Sequence, residues 1–182
     1  MPFNLSTFKG ELLFDGARPT LFEVQLNFPQ SLGANAAGQK SIFMVNAAQL
    51  PASSVGNIEV GYFGRKIKVP GDRTFEDWTV TVINDENFTI RNAMEAWLNA
   101  LNSHAGNVRN ANFLRATNYT ADMLVNQYGK DGAVIKTVKL IDAFPTSLTA
   151  IDLNWDTNNS IETFSVTFSY QWWEAANTTD AA

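Results

Sequence analysis

The sequence of 182 residues contains no cysteine and a single histidine, His104. Without cysteine the chain forms no disulfide, no thiolate metal site and no thiol nucleophile, and one histidine excludes a site built from several imidazoles. Charged residues are also scarce, at 17% against about 25% in a typical globular protein. The surface therefore consists largely of neutral polar groups, or it is covered by partner molecules.

Bases are missing from the last quarter of the chain. All 13 Lys and Arg residues lie at or before Lys139, together with 12 of the 18 acids, and the other six acids follow it. The formal net charge of −5 therefore comes from residues 140–182. Affinity for nucleic acid depends mainly on neutralising phosphates, so an acidic chain without a basic stripe is not predicted to grip DNA or RNA.

Long hydrophobic runs are absent as well. No stretch is long and apolar enough to cross a bilayer, and the first six residues lack the basic start and apolar run of a signal peptide. We therefore expect a soluble protein, made in the cytoplasm, without stable membrane association. The length predicts one domain spanning residues 1–182.

Alternation of apolar and polar residues is the strongest local pattern present. It extends over residues 164–172, Leu21–Phe28 and Trp78–Val82, and such period-two alternation predicts strands with one buried face. Shorter strands are predicted at Ile42–Asn46, Ile58–Tyr62, Arg65–Val69, Met123–Tyr128, Val134–Ile141 and Leu148–Trp155. The short, turn-rich connections favour antiparallel neighbours. We predict a mainly β fold, a sandwich or partial barrel of antiparallel strands.

One flanking α-helix is predicted at about residues 85–103. Asn84 or Asp85 can cap its start, an apolar stripe follows at helical spacing, and Gly106 is a plausible end. Two long loops are predicted, Pro29–Lys40 and Gly106–Ala121, and residues 175–182 are predicted to form a flexible tail.

Catalytic chemistry finds little support in the residues. His104 is the only candidate imidazole base, and the sequence contains no nucleophile motif that would accompany it. Acids between positions 72 and 86 could form a glycosidase pair, but the bases of residues 65–73 lie in the same stretch. A network of opposite charges at a contact surface explains both signs and is favoured. No catalytic, cofactor-binding or metal-binding residue is predicted, and a carbohydrate-active β-sandwich enzyme is a remote alternative.

The block from Val60 to Glu86, VGYFGRKIKVPGDRTFEDWTVTVINDE, closely resembles the tail tube proteins of contractile-tailed bacteriophages. Gly16–Val24 is similar to the start of their first strand. Residues 152–156 and 161–168 are similar to their final hairpin. The resemblance covers most of the chain and implies the tail-tube fold.

The resemblance also implies a function and partners. Hexameric rings of such proteins stack into a hollow tube inside a contractile sheath, and contraction drives the tube through the host envelope so that DNA passes down the lumen. The implied partners are further copies of the chain, the sheath protein, the tape-measure protein, the baseplate hub and the tail terminator. The implied location is the virion tail. An alternative is the inner tube of a related injection machine, of the type VI secretion or tailocin-like kind, which carries protein cargo.

Two sets of residues are predicted to matter for assembly. The mixed-charge set is predicted to supply subunit or ring contacts: Arg65, Lys66, Lys68, Asp72, Arg73, Glu76 and Asp77. The acid-only C-terminal quarter is predicted to supply charge to the lumen or its rim through Asp142, Asp152, Asp156 and Glu162.

Overall fold

Antiparallel strands form the framework of the protein, whose computed structural model describes residues 4–12 and 16–175. The strands are Phe22–Gln25 (β1), Val45–Ala48 (β2), Ser53–Tyr62 (β3), Arg65–Phe75 (β4), Trp78–Ile83 (β5), Ala121–Tyr128 (β6), Val134–Leu148 (β7), Thr163–Ser169 (β8) and Trp172–Ala175 (β9). The helices are Leu5–Glu11 (α1), Asn35–Met44 (α2), Thr89–Leu101 (α3) and Ala116–Tyr119 (α4). Within the described ranges, no helix has the length and apolar character needed to span a bilayer.

Seven strands form one sheet in the order β1-β6-β7-β8-β5-β2, with β9 beside the first half of β7. The long strand β7 belongs to both halves of this sheet. Its residues 134–143 pair with β6, whereas residues 144–148 pair with β8. Between them Asp142 has a φ of 54°, which marks the bend. The predicted antiparallel sandwich or partial barrel is confirmed, and among the described residues the sheet does not close into a barrel.

The pairing of β5 with β8 forms the centre of the core. Trp78 lies opposite Phe168, and Val82 lies opposite Phe164. All four side chains are buried, as is Val166 on β8, while Ser165 and Thr167, which alternate with these residues, are half-buried. Burying a large apolar side chain contributes about 1.5–3 kcal/mol to stability. The alternation of apolar and polar residues therefore determines which faces of β5 and β8 point into the core and in which register the strands pair.

The helix α3 packs on the sheet through one apolar stripe, which confirms the predicted flanking helix. Its buried residues are Ile90, Ala93, Met94, Trp97 and Ala100. The Trp97 ring lies 5.6 Å from the Phe28 ring and 6.4 Å from the Phe168 ring, between centroids. Its indole N–H donates to the Tyr119 carbonyl at 2.9 Å. Trp97 therefore connects the helix, the sheet and the segment after the helix.

This helix is shorter than the predicted range of 85–103. It begins at Thr89, because the Asp85 carboxylate accepts hydrogen bonds from the Thr89 backbone N–H at 3.0 Å and hydroxyl at 2.9 Å. It ends at Leu101, since the Ser103 backbone N–H donates a hydrogen bond to the Val108 carbonyl, at 3.0 Å, and not to a carbonyl of the helix. The predicted end at Gly106 is therefore wrong.

The predicted strand Ile42–Asn46 is also wrong in part. Its first three residues form the end of α2, and only its last two lie in β2. The predicted loop Pro29–Lys40 contains the start of the same helix. The helix α2 forms here because it packs closely against the chain that follows β1. A Cβ atom on Gly38 would lie 3.1 Å from the Leu26 carbonyl oxygen, and the Ser41 hydroxyl accepts the Leu26 N–H at 2.9 Å. This tertiary contact outweighs the local strand preference.

The predicted strand Leu148–Trp155 is wrong beyond its first residue. The chain turns at Asn154, whose side-chain oxygen accepts the Asp156 N–H at 3.0 Å and whose carbonyl accepts the Thr157 hydroxyl at 2.7 Å. Such side-chain turns compete with the sheet for the backbone. Residues 149–162 consequently form a loop between β7 and β8.

The remaining strand predictions hold with changed boundaries. Strands are found at the predicted segments Ile58–Tyr62, Arg65–Val69, Trp78–Val82, Met123–Tyr128 and Val134–Ile141. The predicted first strand is confined to β1, and the strand over residues 164–172 is divided into β8 and β9. Of the predicted tail, Ala175 is buried in β9, and residues 176–182 lie outside the described residues. The predicted loop after α3 contains the short helix α4.

Candidate functional site

The strands β3 and β4 form a long hairpin, called here the hairpin arm (residues 53–75). They pair only with each other, in a two-stranded sheet separate from the main one. The turn between them consists of Phe63 and Gly64, with φ angles of 43° and 79°. Positive φ at both positions matches the tight turn that suits the twist of two antiparallel strands. None of the arm's residues is buried.

The two faces of the hairpin arm differ in chemistry. In register, Ile58 lies opposite Val69 and Val60 opposite Ile67, so these four share one face with Tyr62. These apolar side chains are 43–65% exposed, and the turn residue beyond them, Phe63, is 91% exposed. A two-stranded hairpin is marginally stable in water by itself, and contiguous exposed apolar groups mark interaction surfaces. The apolar face of the arm therefore has the character of an interface.

The opposite face of the arm is polar. It carries Glu59, Lys66 and Lys68, and the Lys66 ammonium lies 2.6 Å from the Glu59 carboxylate. Both side chains are well exposed, so this ion pair contributes at most about 1 kcal/mol to stability. One face of the arm is thus charged and solvated, and the other is apolar apart from Arg65, which lies opposite Tyr62.

The base of the arm is held firmly by the main sheet. The indole N–H of Trp78 donates to the Gln49 carbonyl at 2.7 Å, and that of Trp173 donates to the Ala52 carbonyl at 3.3 Å. A ring contact between Phe75 and Tyr170 adds to this, with centroids 6.0 Å apart. The arm consequently projects from a fixed point, the start of β5.

The second exposed surface is the loop of residues 149–162, called here the acidic loop. Its apolar residues Leu153, Trp155 and Ile161 are 81%, 97% and 73% exposed. It carries three acids and no base. The loop is anchored at one end by Asn84, whose backbone N–H donates to the Glu162 carbonyl at 2.8 Å and whose side chain donates to the Glu162 carboxylate at 2.9 Å.

The predicted contact residues all lie on the arm or directly after it. Arg65, Lys66, Lys68, Asp72 and Arg73 are exposed on β4, and Glu76 and Asp77 are exposed in the link to β5. The structure therefore brings this set together on one projecting element. The sequence pattern did not reveal that the apolar face of the arm is exposed. Its apolar and polar residues alternate in the same way as those of a core strand.

The four predicted lumen acids do not form one cluster. Asp152, Asp156 and Glu162 are all within the acidic loop. Asp142 lies instead at the bend of β7, where its carboxylate accepts the Thr120 hydroxyl at 2.9 Å. Asp142 lies six residues before Leu148, where β7 ends and the acidic loop starts. It is therefore part of the sheet and not of the acidic loop.

One ion pair among the described residues is largely shielded from water. The Lys40 ammonium on α2 contacts the Asp85 carboxylate before α3, and the Asp85 side chain is only 10% exposed. Burial raises the pKa of Asp85, but hydrogen bonds from Lys40 and Thr89 and the charge of Lys40 outweigh it and leave this pKa below its ordinary value. The pair ties the two helices together and serves stability. Within residues 4–12 and 16–175, no group of three His, Asp or Glu side chains is placed to hold a metal ion.

The family model described as phage tail tube protein matches residues 17–176, which is most of the chain. The chain belongs to the phage tail tube protein family. It is 37% identical over 161 residues to the tail tube protein gp19 of Enterobacteria phage T4, which covers 88% of this chain and 92% of that protein. The resemblance seen in the sequence is thereby confirmed.

Solved structures show the same fold for this tail tube family member. A chain from the anti-feeding prophage baseplate, solved with six-fold symmetry imposed, superposes with a TM-score of 0.61 at 11% identity, over 88% of this chain and 95% of that one. A chain from the sheath-tube complex of an extracellular contractile injection system gives a TM-score of 0.55 at 18% identity, over 94% and 97%. The predicted tail-tube fold is confirmed by these neighbours.

Proposed function

We propose that the chain is the structural subunit of a phage tail tube, in which six copies form a ring and the rings stack into a hollow tube. Membership of the tail tube family supports this. The observation that carries it is the hairpin arm, whose apolar face is uncovered in a single subunit. Further copies of the chain are the partners that would cover it, and head-to-tail contacts between copies generate rings and open-ended stacks.

The same proposal places the tube in the virion tail, after assembly in the host cytoplasm. It lies inside a contractile sheath, encloses the tape-measure protein, grows from a baseplate hub and is closed by a terminator. DNA passes through the lumen without specific binding. A ring of six subunits at −5 each carries a formal charge of about −30, which disfavours phosphate adhesion within about 8 Å of the wall. No catalytic role is part of this proposal.

Contacts between subunits or rings are proposed to involve the charged residues on the arm and directly after it, namely Arg65, Lys66, Lys68, Asp72, Arg73, Glu76 and Asp77. All are exposed, and they project with the arm beyond the main sheet. Reversing the charge at Arg65 and Arg73 should impair polymerisation while the subunit keeps its thermal unfolding midpoint. Normal tubes from this double variant would show that these charges are not in a contact.

The acids Asp142, Asp152, Asp156 and Glu162 are proposed to place charge on the lumen or its rim. The acidic loop supports this for three of them, because it lies at one end of the sheet and contains no base. A density map of the tube that places all four on the outer, sheath-facing surface would contradict the proposal.

A protein-carrying injection tube shares the fold and is the alternative. The solved injection-system chains are 11% and 18% identical to this one, whereas the phage T4 protein is 37% identical. The phage assignment is therefore preferred.

Electron microscopy of the purified protein tests the proposal. Concentrated protein should form hollow tubes of constant width, with six subunits per ring in a reconstruction. Protein that stays monomeric at high concentration, and that is absent from the tube in a map of the phage particle, would overturn it.

A further inference from the structure

The acidic loop and the segment that follows α3, called here the basic loop (residues 102–120), lie at opposite ends of that helix. In the first turn of α3, the Arg91 guanidinium donates at 3.0 Å to the carbonyl of Thr149, the first residue of the acidic loop. The basic loop starts directly after Leu101, where the helix ends. At about 1.5 Å per residue, the 13 residues of α3 are about 20 Å long. In the described part of the chain, no hydrogen bond or ion pair joins the two loops.

The hairpin arm is also remote from the acidic loop within one subunit. The arm leads into β5 at Trp78, and Ile83 at the other end of this strand lies opposite Thr163, which directly follows the acidic loop. At about 3.3 Å per residue, the six residues of β5 separate the two surfaces by roughly 17 Å of strand. Neither the arm nor the basic loop of the same subunit therefore covers the acidic loop.

The basic loop complements the acidic loop in charge. It carries Arg109 and Arg115 and no acid, a net charge of +2 with its histidine neutral, whereas the acidic loop carries three acids and no base, a net charge of −3. The side chains of Arg109, Arg115, Asp152 and Asp156 are exposed, and none of them forms an ion pair with a described residue. Opposite charges of this kind steer two surfaces together.

The basic loop holds exposed apolar side chains next to its charges. Val108 and Leu114 are 65% and 69% exposed. The loop is fixed on the subunit by the buried side chain of Phe113 and by Arg109, whose guanidinium carbon lies 4.9 Å from the centre of the Tyr119 ring. A surface that is held in place before binding loses less conformational entropy when it binds.

The acidic loop offers a groove of matching character. It surrounds an open cavity of about 600 Å³, and the residues that line it include Leu153, Trp155 and Ile161. Asp152 and Glu162 line the same cavity. An apolar side chain followed by a guanidinium fits such a groove, because the apolar lining buries the first and the carboxylates pair with the second.

We propose that the acidic loop of one subunit docks on the basic loop of a neighbouring copy, with Leu114 in the groove and Arg115 beside its carboxylates. This rests on the proposed tube function and names a contact separate from the hairpin arm. The arm matches the acidic loop less well, since together with Glu76 and Asp77 it has four bases and four acids and therefore no net charge. Two loops at opposite ends of one helix make a head-to-tail contact, which leaves a free surface of each kind for further copies.

A charge-exchange experiment tests this contact. The basic-loop variant carries Arg109→Glu and Arg115→Glu, the acidic-loop variant carries Asp152→Lys and Asp156→Lys, and the combined variant carries all four substitutions. Each of the first two should raise the protein concentration needed for tube formation about tenfold or more, because an attractive contact becomes repulsive. The combined variant, in which the two signs are exchanged, should return that concentration to within about threefold of the wild type.

A misplaced exchange is the matched control. It combines the two acidic-loop substitutions with Arg18→Glu and Lys136→Glu, which change exposed positions outside both loops. Its net charge equals that of the combined variant and of the wild type, so only the position of the charges differs. It should assemble as poorly as the acidic-loop variant, and a rescue equal to that of the combined variant would overturn the contact.

The outcomes separate this contact from the tube function. Tubes from the wild type together with failure of the combined variant, while all variants unfold at the wild-type temperature, would overturn the contact and leave the tube function standing. Normal assembly of the basic-loop or the acidic-loop variant would do the same. Absence of the protein from the tube in a map of the phage particle would instead overturn the tube function.

Cysteine cross-linking gives a second test that does not depend on long tubes. The natural chain has no cysteine, so single-cysteine variants form only the disulfides that are introduced. Mixing Leu114→Cys with Leu153→Cys, one of them carrying a mass tag, should yield the mixed dimer in excess over either dimer of one variant. A disulfide requires Cα atoms within about 7 Å. Equal yields when Val134→Cys, at an exposed position outside both loops, replaces Leu114→Cys would overturn the contact.

Discussion

Replacing Trp155 by alanine should separate folding of the subunit from its assembly. The indole is 97% exposed, so its loss should change the free energy of unfolding by no more than about 0.5 kcal/mol. Burying an aromatic side chain covers about 150–250 Å². At about 25 cal/mol per Å², even half of that area contributes about 2–3 kcal/mol to a contact between subunits. The concentration needed for tube formation should therefore rise about 30- to 140-fold.

Sedimentation measures this effect directly. Protein is polymerised over a range of concentrations, tubes are pelleted, and the soluble protein that remains gives the threshold for assembly. Trp155→Phe keeps most of the apolar area and should move the threshold far less than Trp155→Ala. Asn159→Ala, in the same loop, should leave it unchanged. An unchanged threshold for Trp155→Ala would refute the reasoning, as would a fall of its unfolding temperature by more than a few degrees.

Two further predictions concern the subunit by itself. Trp97→Phe removes the donor to the Tyr119 carbonyl and leaves a small cavity, so it should cost about 2–4 kcal/mol and lower the unfolding midpoint in calorimetry by about 5–15 °C; an unchanged midpoint would contradict it. The pKa of Asp85 is lower in the folded subunit, so its ionised form stabilises the fold above about pH 5 and loses this effect as the pH falls below about 4. Denaturant unfolding should show wild type more stable than Asp85→Asn at neutral pH, with a difference that shrinks in acid; a constant difference would argue against the ion pair with Lys40.

The core strands could be predicted because their burial depends on a local pattern. Trp78, Val80 and Val82 alternate with threonines, and that alternation alone decides which face is inside. The start of α2 could not be predicted in this way. It depends on Gly38 and Ser41 contacting the chain at Leu26, and a local pattern contains no information about such a contact.

The candidate assembly surfaces were predictable only in part. The bases and acids of β4 pointed to a contact surface, because charged strand residues are rarely buried. The apolar residues Ile58, Val60 and Ile67 follow the same period as a core strand, so the sequence pattern assigns them to a core. Their exposure results from the position of the hairpin arm outside the main sheet, which is a property of the whole fold.

A stack built from subunits with the arm at one end and the acidic loop at the other has two chemically distinct tips. One tip displays basic, apolar projections, and the other displays acidic, apolar cradles. In the proposed tube, the proteins at the two ends would therefore contact different surfaces of the subunit. The proposed stack has a direction for the same reason. That direction is set within each subunit by β5, the six-residue strand that holds the two surfaces apart.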